Sequence, residues 1–335
     1  MMKAARIHSY GGPDVLVYED VPTPSPGPGE VLIKVESASV NFADVVRRNN
    51  DPYPFPSPLP FIPGSEVAGI VEQLGDGVSN VSVGTAVFAS LENGGAGGYA
   101  QYAVAKAAKA IPLPDGLTPD QACSLVVAGM TALQTLTDCA HLQAGESVLV
   151  QAAGGGVGTY AIQLAKHLGA GQVIAAASTD AKRKLALELG ADHAIDYTTP
   201  GWEKQVRALT SGNGVDVVLE STGGDVLTRS IQAMAPFGRI VVFGATSRQR
   251  NPINPYAMLG LNQSLITYYV GGWFQLRRQT TAAALLKLIG LIRSGAVGVQ
   301  IGHVLPLRDA AEAHRLLAAR AGAGKIVLRP WADTP

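Results

Sequence analysis

From Val148 to Gly158 the chain reads VLVQAAGGGVG, an apolar strand-like run that breaks into consecutive glycines and leads into the helix-like segment Thr159 to Leu168. A turn of this composition is suited to receiving a pyrophosphate. Glycine lets the backbone approach the phosphates with no Cβ in the way, and the free amides at the start of the next helix supply hydrogen bonds and partial positive charge. The best register sets Ala153, Gly155 and Gly158 as an A-x-G-x-x-G variant of the dinucleotide fingerprint. Glycine-rich turns also close ordinary strand-helix units, so the sequence that follows has to decide.

Downstream, strand-like and helix-like segments alternate. Gln172 to Ala177 reads as a strand, Asp180 to Leu189 as an amphipathic helix and Ala194 to Asp196 as a short strand. Next come a helix over Trp202 to Thr210, a strand over Val215 to Leu219, a helix over Asp225 to Ala233 and a strand over Arg239 to Phe243. This rhythm predicts a doubly wound parallel sheet and an α/β fold. The acid that binds a ribose 2′-hydroxyl is expected about 20 residues past the last glycine, where this chain has Ser178. A carboxylate there would repel a 2′-phosphate, whereas Ser178 can donate to it and Lys182 can reach it. NADPH is therefore expected over NADH. The alternative is that Lys182, Arg183 and Lys184 form a solvated helix face.

The first 120 or so residues have a different texture. Val31 to Val35, Ala68 to Gln73 and Thr85 to Ala89 are strand-like, divided by proline and glycine turns, so this part is mostly β. Prolines between Pro52 and Pro63 exclude a regular helix or central strand, leaving a rigid loop that either lines a cleft or only connects. Beyond Gly271 the pattern gives a helix over Leu276 to Ser294, a strand at His303 to Leu305, a helix at Ala310 to Ala319 and a closing strand at Lys325 to Leu328. That tail is expected to pack on the first lobe.

With 335 residues and 47% hydrophobic content the chain can bury two cores, and its formal charge of zero argues against a nucleic-acid surface or an anionic membrane as partner. MMKAARIHSYGG has no apolar core of a targeting signal, and the apolar run at Ala282 to Ile292 is broken by Lys287. A cytoplasmic protein is the expectation.

The opening YGGPDVL, the segment VNFADVVRR, the PGSEVAG turn, the VQAAGGGVGTYAIQLAK core, LGADHAIDY and the terminal GKIVL together resemble the zinc-independent quinone oxidoreductases of the medium-chain dehydrogenase/reductase superfamily. The resemblance spans essentially the whole chain. It implies a discontinuous GroES-like catalytic domain over residues 1–123 and 271–335, a Rossmann NADPH-binding domain over 124–270, an active site in the cleft between them and a homodimer joined through an edge strand at Leu265 to Tyr269. It also implies cofactor contacts. Phe42, Ala43, Asp44, Val46 and Thr131 would meet the nicotinamide end, and Gly155, Gly156, Val157 and Gly158 the pyrophosphate. Ser178, Lys182 and Tyr197 would meet the 2′-phosphate end. Ser221, Phe243, Gly244, Tyr269, Val270, Arg320 and Lys325 would line the rest. Related enzymes often carry a tyrosine where this chain has Val46, so Tyr53 and Trp273 are the candidate aromatic walls for substrate.

Of the two cysteines, Cys123 and Cys139, neither has another cysteine or a histidine at ligand spacing. Where zinc alcohol dehydrogenases of the superfamily carry Gly-His-Glu, this chain has Gly64, Ser65 and Glu66, so no zinc is expected. Without a Lewis acid, alcohol oxidation loses its main electrophilic aid. Hydride delivery to an electron-poor quinone or α,β-unsaturated carbonyl needs only donors where negative charge develops. Asn41 is the candidate catalytic donor, with helix capping as its alternative role. Two further classes stay open: an enoyl-thioester reductase, or a non-catalytic NADPH-binding protein of the crystallin or RNA-binding kind.

Overall fold

The computed structural model describes residues 1–91, 96–249 and 251–332. The chain divides into two compact units, Met1–Val127 with Gln300–Pro335, and Ala128–Val299.

In the first unit, β1 (Met2–Ile7) and β2 (Leu16–Val21) form an antiparallel hairpin that the sequence reading missed. The long β3 (Glu30–Val40) runs into helix α1 (Phe42–Arg48), and β4 (Glu66–Leu74), β5 (Ala86–Ser90), β6 (Tyr102–Lys106) and β7 (Ala110–Pro112) follow, before the short helix α2 (Pro119–Ala122). The proline-rich stretch from Pro52 to Pro60 has neither helix nor strand, because proline lacks the amide that either ladder requires.

The second unit contains α3 (Met130–Gln134), β8 (Ser147–Val150), α4 (Gly156–His167), β9 (Gln172–Ala176), α5 (Asp180–Glu188), β10 (His193–Ile195), α6 (Trp202–Leu209), β11 (Val215–Glu220), α7 (Gly224–Ala233) and β12 (Met234–Val242). It continues through α8 (Tyr256–Leu259), β13 (Ser264–Thr267), α9 (Val270–Leu276) and α10 (Arg278–Arg293). Among the described residues its sheet is six-stranded and parallel, in the order β10-β9-β8-β11-β12-β13. Val148, Leu149 and Val150 at its centre are at most 1% exposed, since helices on both faces bury the sheet.

The chain then returns to the first unit as β14 (Ile301–Pro306), α11 (Ala310–Ala318) and β15 (Lys325–Arg329). β15 pairs antiparallel with β3 and parallel with β14, giving the order β14-β15-β3-β4-β5-β7 with β6 also on β3. The crossings fall at residues 127/128 and 299/300, whereas the expected ones were 123/124 and 270/271. The physical reason is α10, whose Leu285, Leu288 and Ile292 are buried. Leu288 packs so closely on Gly129 that a Cβ there would stand 2.7 Å from its Cδ2.

Candidate active site

The strand order of the second unit reverses at β8 and β11, so the loops leaving their carboxyl ends splay apart and open a crevice. The glycine turn occupies the exit of β8. Ala152 turns the backbone with φ of +50°, Gly155 stands at the N-cap of α4 with no side chain capping it, and the first-turn amides of Gly156, Val157 and Gly158 precede the helix's own hydrogen bonds. A Cβ on Gly158 would lie 2.6 Å from Ala152 O and from Ala153 Cα, which is why only glycine seats this helix against the strand.

Lys182 completes that turn. Its backbone amide is capped by Thr179 Oγ1 at 3.4 Å, and its side chain lies inward rather than in solvent, 8% exposed. A Cβ on Gly154 would stand 2.6 Å from Lys182 Cγ and 2.7 Å from its Cβ, so the missing side chain is what lets the lysine stem lie on the turn. Its neighbours behave differently: Arg183 binds Ala177 O at 2.9 Å and pairs with Asp196 at 3.2 Å and with Asp180, while Lys184 is exposed beside Glu188. The solvated-face alternative thus describes Lys184 and not Lys182. Ser178 is half-buried at the end of β9. Tyr197 is 7% exposed and belongs to the core beside Ile195 and Trp202.

Across the reversal, Ser221 and Gly244 approach each other, a Cβ on Gly244 falling 3.3 Å from Ser221 O. Thr246 N and Ser247 N donate to Ser221 O and Thr222 O, both at 2.8 Å, and Phe243 N donates to Glu220 O at 3.0 Å. Glu220, which the sequence reading did not single out, is fully buried; burial raises its pKa, and its carboxylate accepts from Gly223 N at 2.9 Å, from Ser230 Oγ at 3.0 Å and from Thr222 N. Gln151 Oε1 and Thr222 Oγ1 are buried there with no hydrogen-bond partner among the described residues. An uncapped helix start, a glycine cradle, an adjacent lysine and unspent polar atoms fit a dinucleotide. Elsewhere in this unit, Thr131 is 5% exposed beside Tyr268, whose hydroxyl donates to Gln134 Oε1 at 2.9 Å. Tyr269 caps α9 with its ring against Gly271, Val270 begins that helix half-buried, and Trp273 tilts against Tyr268 with ring centroids 5.9 Å apart.

The first unit holds a second group of candidates. On α1, Phe42, Ala43 and Val46 share a half-buried face, while Asp44, Val45, Arg47 and Arg48 point into the unit. Asn41 caps the helix, its backbone N–H donating to Asp44 Oδ2 at 2.9 Å. Asp44, expected at the cofactor, is 1% exposed and also accepts from Tyr99 Oη at 2.9 Å and Gly64 N at 3.2 Å. Burial pushes its pKa up to about 6. Its reach is inward. Tyr99 Oη lies 3.1 Å from His314 Nε2, and His314 Nδ1 lies 3.0 Å from Arg48 Nη1. Because arginine only donates, His314 Nδ1 must accept, so a neutral ring carries its proton on Nε2 toward Tyr99. Burial, then the Arg48 charge, holds the His314 pKa down at about 3.

Lys325, expected at the cofactor, is engaged by groups of its own unit. Its ammonium, 4% exposed, donates to Asn41 Oδ1 at 2.7 Å and to Val40 O at 3.3 Å, and lies 3.9 Å from Glu66 Oε2. Glu66, wholly buried, accepts from Asn41 Nδ2 at 2.8 Å and Val127 N at 2.6 Å. The remaining Asn41 amide hydrogen goes to Ser65 Oγ at 3.3 Å. The carboxamide expected to serve as a free donor is therefore already engaged, because β15 delivers a lysine and β4 a glutamate to the same end of β3. The Gly64 turn makes this possible: at φ of +99° a Cβ would meet Tyr99 Cδ1 at 2.5 Å. Tyr53 stacks near Arg47, 5.5 Å from ring centroid to guanidinium carbon, in a shallow pocket of ≈ 210 Å³ with Phe55 and Pro56. Arg320 follows α11 in the left-handed conformation, φ of +54°.

Among the described residues no cluster of histidine, cysteine, aspartate and glutamate could hold a metal ion, and no helix is long and apolar enough to cross a membrane. Both cysteines are buried, and burial raises their thiol pKa values, that of Cys139 to about 11.

A mostly-β unit joined to a parallel sheet of order 3-2-1-4-5-6 with a glycine turn at its switch point defines a pyridine-nucleotide dehydrogenase/reductase of the GroES-like plus Rossmann kind. Known proteins narrow this. The alcohol dehydrogenase GroES-like domain family matches residues 27–115, and the zinc-binding dehydrogenase family matches residues 156–289. A 2-haloacrylate reductase of Burkholderia sp. is 36% identical over 99% of this chain and 100% of its own length, and a quinone oxidoreductase of Pseudomonas aeruginosa is 36% identical over 98% and 100%. The Escherichia coli quinone oxidoreductase solved in complex with NADPH is 30% identical, with a TM-score of 0.91 over 98% of this chain and 100% of that one. The chain belongs to the quinone oxidoreductase family of the medium-chain dehydrogenase/reductase superfamily.

Proposed function

We propose that this protein is an NADPH-dependent, zinc-independent oxidoreductase that delivers hydride to a quinone or an activated α,β-unsaturated carbonyl. The observation that supports the reading is the Lys182 stem lying on Gly154 beside the uncapped start of α4, an arrangement that suits a phosphorylated dinucleotide. When bound, NADPH supplies the hydride. Gly155 to Gly158 receive the pyrophosphate, Ser178 and Lys182 the 2′-phosphate, and Ser221 to Thr222 with Phe243 to Gly244 flank the crevice. Phe42, Ala43 and Val46 offer the half-buried face of α1, Tyr53 is the aromatic candidate for the acceptor in the first unit and Trp273 that in the second. Asp44 and Lys325 act as positioning residues through Asn41 instead of touching cofactor.

The relatives named for a quinone and for a 2-haloacrylate share one demand, an electron-poor conjugated acceptor, and that supports hydride addition over alcohol oxidation. With no metal-ligating cluster among the described residues, the acceptor's oxygen is served by hydrogen-bond donors. A homodimer in the cytoplasm completes the proposal. β13 is an edge strand with Leu265 37% exposed, and Phe237, Leu259 and Tyr256 near it are 70, 69 and 81% exposed, an apolar margin that a second copy would cover. The test is NADPH oxidation with a quinone, an enone and a primary-alcohol panel: quinone or enone turnover supports the reading, and alcohol-only turnover rejects it.

A further inference from the structure

Ser65 is the exit of the buried cluster around Asn41. Asn41, Glu66 and Lys325 are 7, 0 and 4% exposed, whereas Ser65 is half-buried and reaches solvent. Every polar atom of the Asn41 side chain is committed: Oδ1 to Lys325 at 2.7 Å, Nδ2 to Glu66 at 2.8 Å and to Ser65 Oγ at 3.3 Å. The Ser65 hydroxyl accepts from Asn41 and its own hydrogen has no acceptor among the described residues. We propose that Ser65 Oγ–H is the donor that meets the acceptor's oxygen during hydride delivery, with Lys325, Asn41 and Glu66 holding and polarising it from behind. This rests on the function proposed above and assigns the donor role to a different residue from Asn41.

An ammonium on Oδ1 draws electron density through the planar carboxamide and sharpens its N–H as a donor; a hydroxyl that accepts from a stronger donor is in turn a stronger donor itself. The whole line is fixed before the reaction, so no reorganisation is needed as charge appears. Bound NADPH would supply the hydride whose electron pair makes the new C–H bond at the acceptor carbon, with the acceptor's π pair displaced to its oxygen and the nicotinamide left oxidised. Ser65 keeps its proton and stabilises the oxyanion, which is then protonated by water.

Ser65→Ala and Ser65→Thr separate this role from a structural one, read by steady-state turnover, by NADPH affinity from fluorescence titration and by the carbonyl stretch of a bound cyclic enone in difference infrared spectra. The expected result for Ser65→Ala is a 10- to 100-fold loss of kcat with NADPH affinity within twofold and the carbonyl band moved toward its free position. Ser65→Thr, which keeps the hydroxyl, should recover most of both. Full turnover and an unmoved band in Ser65→Ala overturn this inference while leaving the proposed function standing. An unmodified protein that binds and reduces neither quinone nor enone overturns both.

Discussion

Lys325 Nζ donates to Asn41 Oδ1 across 2.7 Å although 284 residues separate the two in sequence. The contact exists because β15 pairs with β3 in a register that sets Ile326 opposite Val40, bringing the first residue of one strand against the end of the other. A lysine that would otherwise be a surface cation is thereby buried beside Glu66, and the carboxamide between them transmits the charge of one toward the other.

Removing that ammonium should be costly. Lys325→Met leaves the Glu66 carboxylate buried with only Asn41 Nδ2 and Val127 N to satisfy it, and should lower unfolding free energy by about 3–5 kcal/mol. Adding Glu66→Gln to Lys325→Met should recover part of the loss. Urea denaturation of the two variants measures this, and equal stability of Lys325→Met and the unmodified chain would contradict a buried charged pair.

Cofactor choice should follow Lys182. Lys182→Glu should weaken NADPH at least tenfold, about 1.4 kcal/mol, and leave NADH unchanged or improved. Titration of both nucleotides by fluorescence decides it. An unmodified protein that binds the two equally would remove Ser178 and Lys182 from the 2′-phosphate site.

The Asp44, Tyr99 and His314 chain predicts an unusual pH profile. Asp44 has its folded pKa raised from 3.8 to about 6, so between about pH 4 and 6 the folded state holds a proton that the unfolded state lacks, and this contribution to stability is lost as pH rises. His314 is lowered from 6.5 to about 3, so between about pH 3 and 6.5 the unfolded chain takes up a proton that the folded state refuses, and stability is lost as pH falls. The two slopes oppose each other across pH 4 to 6. His314→Gln should therefore expose the Asp44 slope, gaining on the unmodified protein by about 1.4 kcal/mol per pH unit on acidification. Denaturation at half-unit pH steps checks it, and parallel profiles would mean His314 is not held neutral.

Gly158→Ala should cost about 1–3 kcal/mol, because its Cβ would overlap Ala152 O and Ala153 at 2.6 Å and push α4 off β8. Calorimetry should show the lowered Tm, and nucleotide titration a parallel loss of affinity. Gly145→Ala is the control for the second effect, since its turn at φ of +88° has open space and lies at the opposite end of β8: stability should fall with affinity kept.

Activity should survive exhaustive chelation, and elemental analysis should find no stoichiometric zinc. A retained equivalent of zinc would show that Ser65 and the buried cysteines had been misread.

Local order in the chain was enough to predict the parallel sheet of the second unit from β8 to β12, though not that α9 and α10 belong to that unit. The alternation of strand and helix patterns from Val148 onward, the glycine run and the absence of an acid at Ser178 all act within about 30 residues, the length over which a βαβ unit and its phosphate turn are built. The first unit yielded less, since an antiparallel sheet pairs segments that are far apart: the β1–β2 hairpin was not seen, and nothing near Lys325 in sequence announces β3 as its neighbour. Tertiary structure alone decided which candidates are free to act. Asn41, Asp44 and Lys325 carry the right chemistry for a nucleotide or acceptor site, yet packing turned Lys325 onto the Asn41 carboxamide and Asp44 onto the Asn41 amide, Gly64 and Tyr99. Burial makes an unpaired polar group expensive, and hydrogen bonds within the unit were the arrangement that satisfied all three. Ser65, read in the sequence only as the residue standing where a zinc ligand would be, is left half-buried with a hydroxyl hydrogen that has no acceptor among the described residues, a position created by the Gly64 turn and by Asn41 behind it.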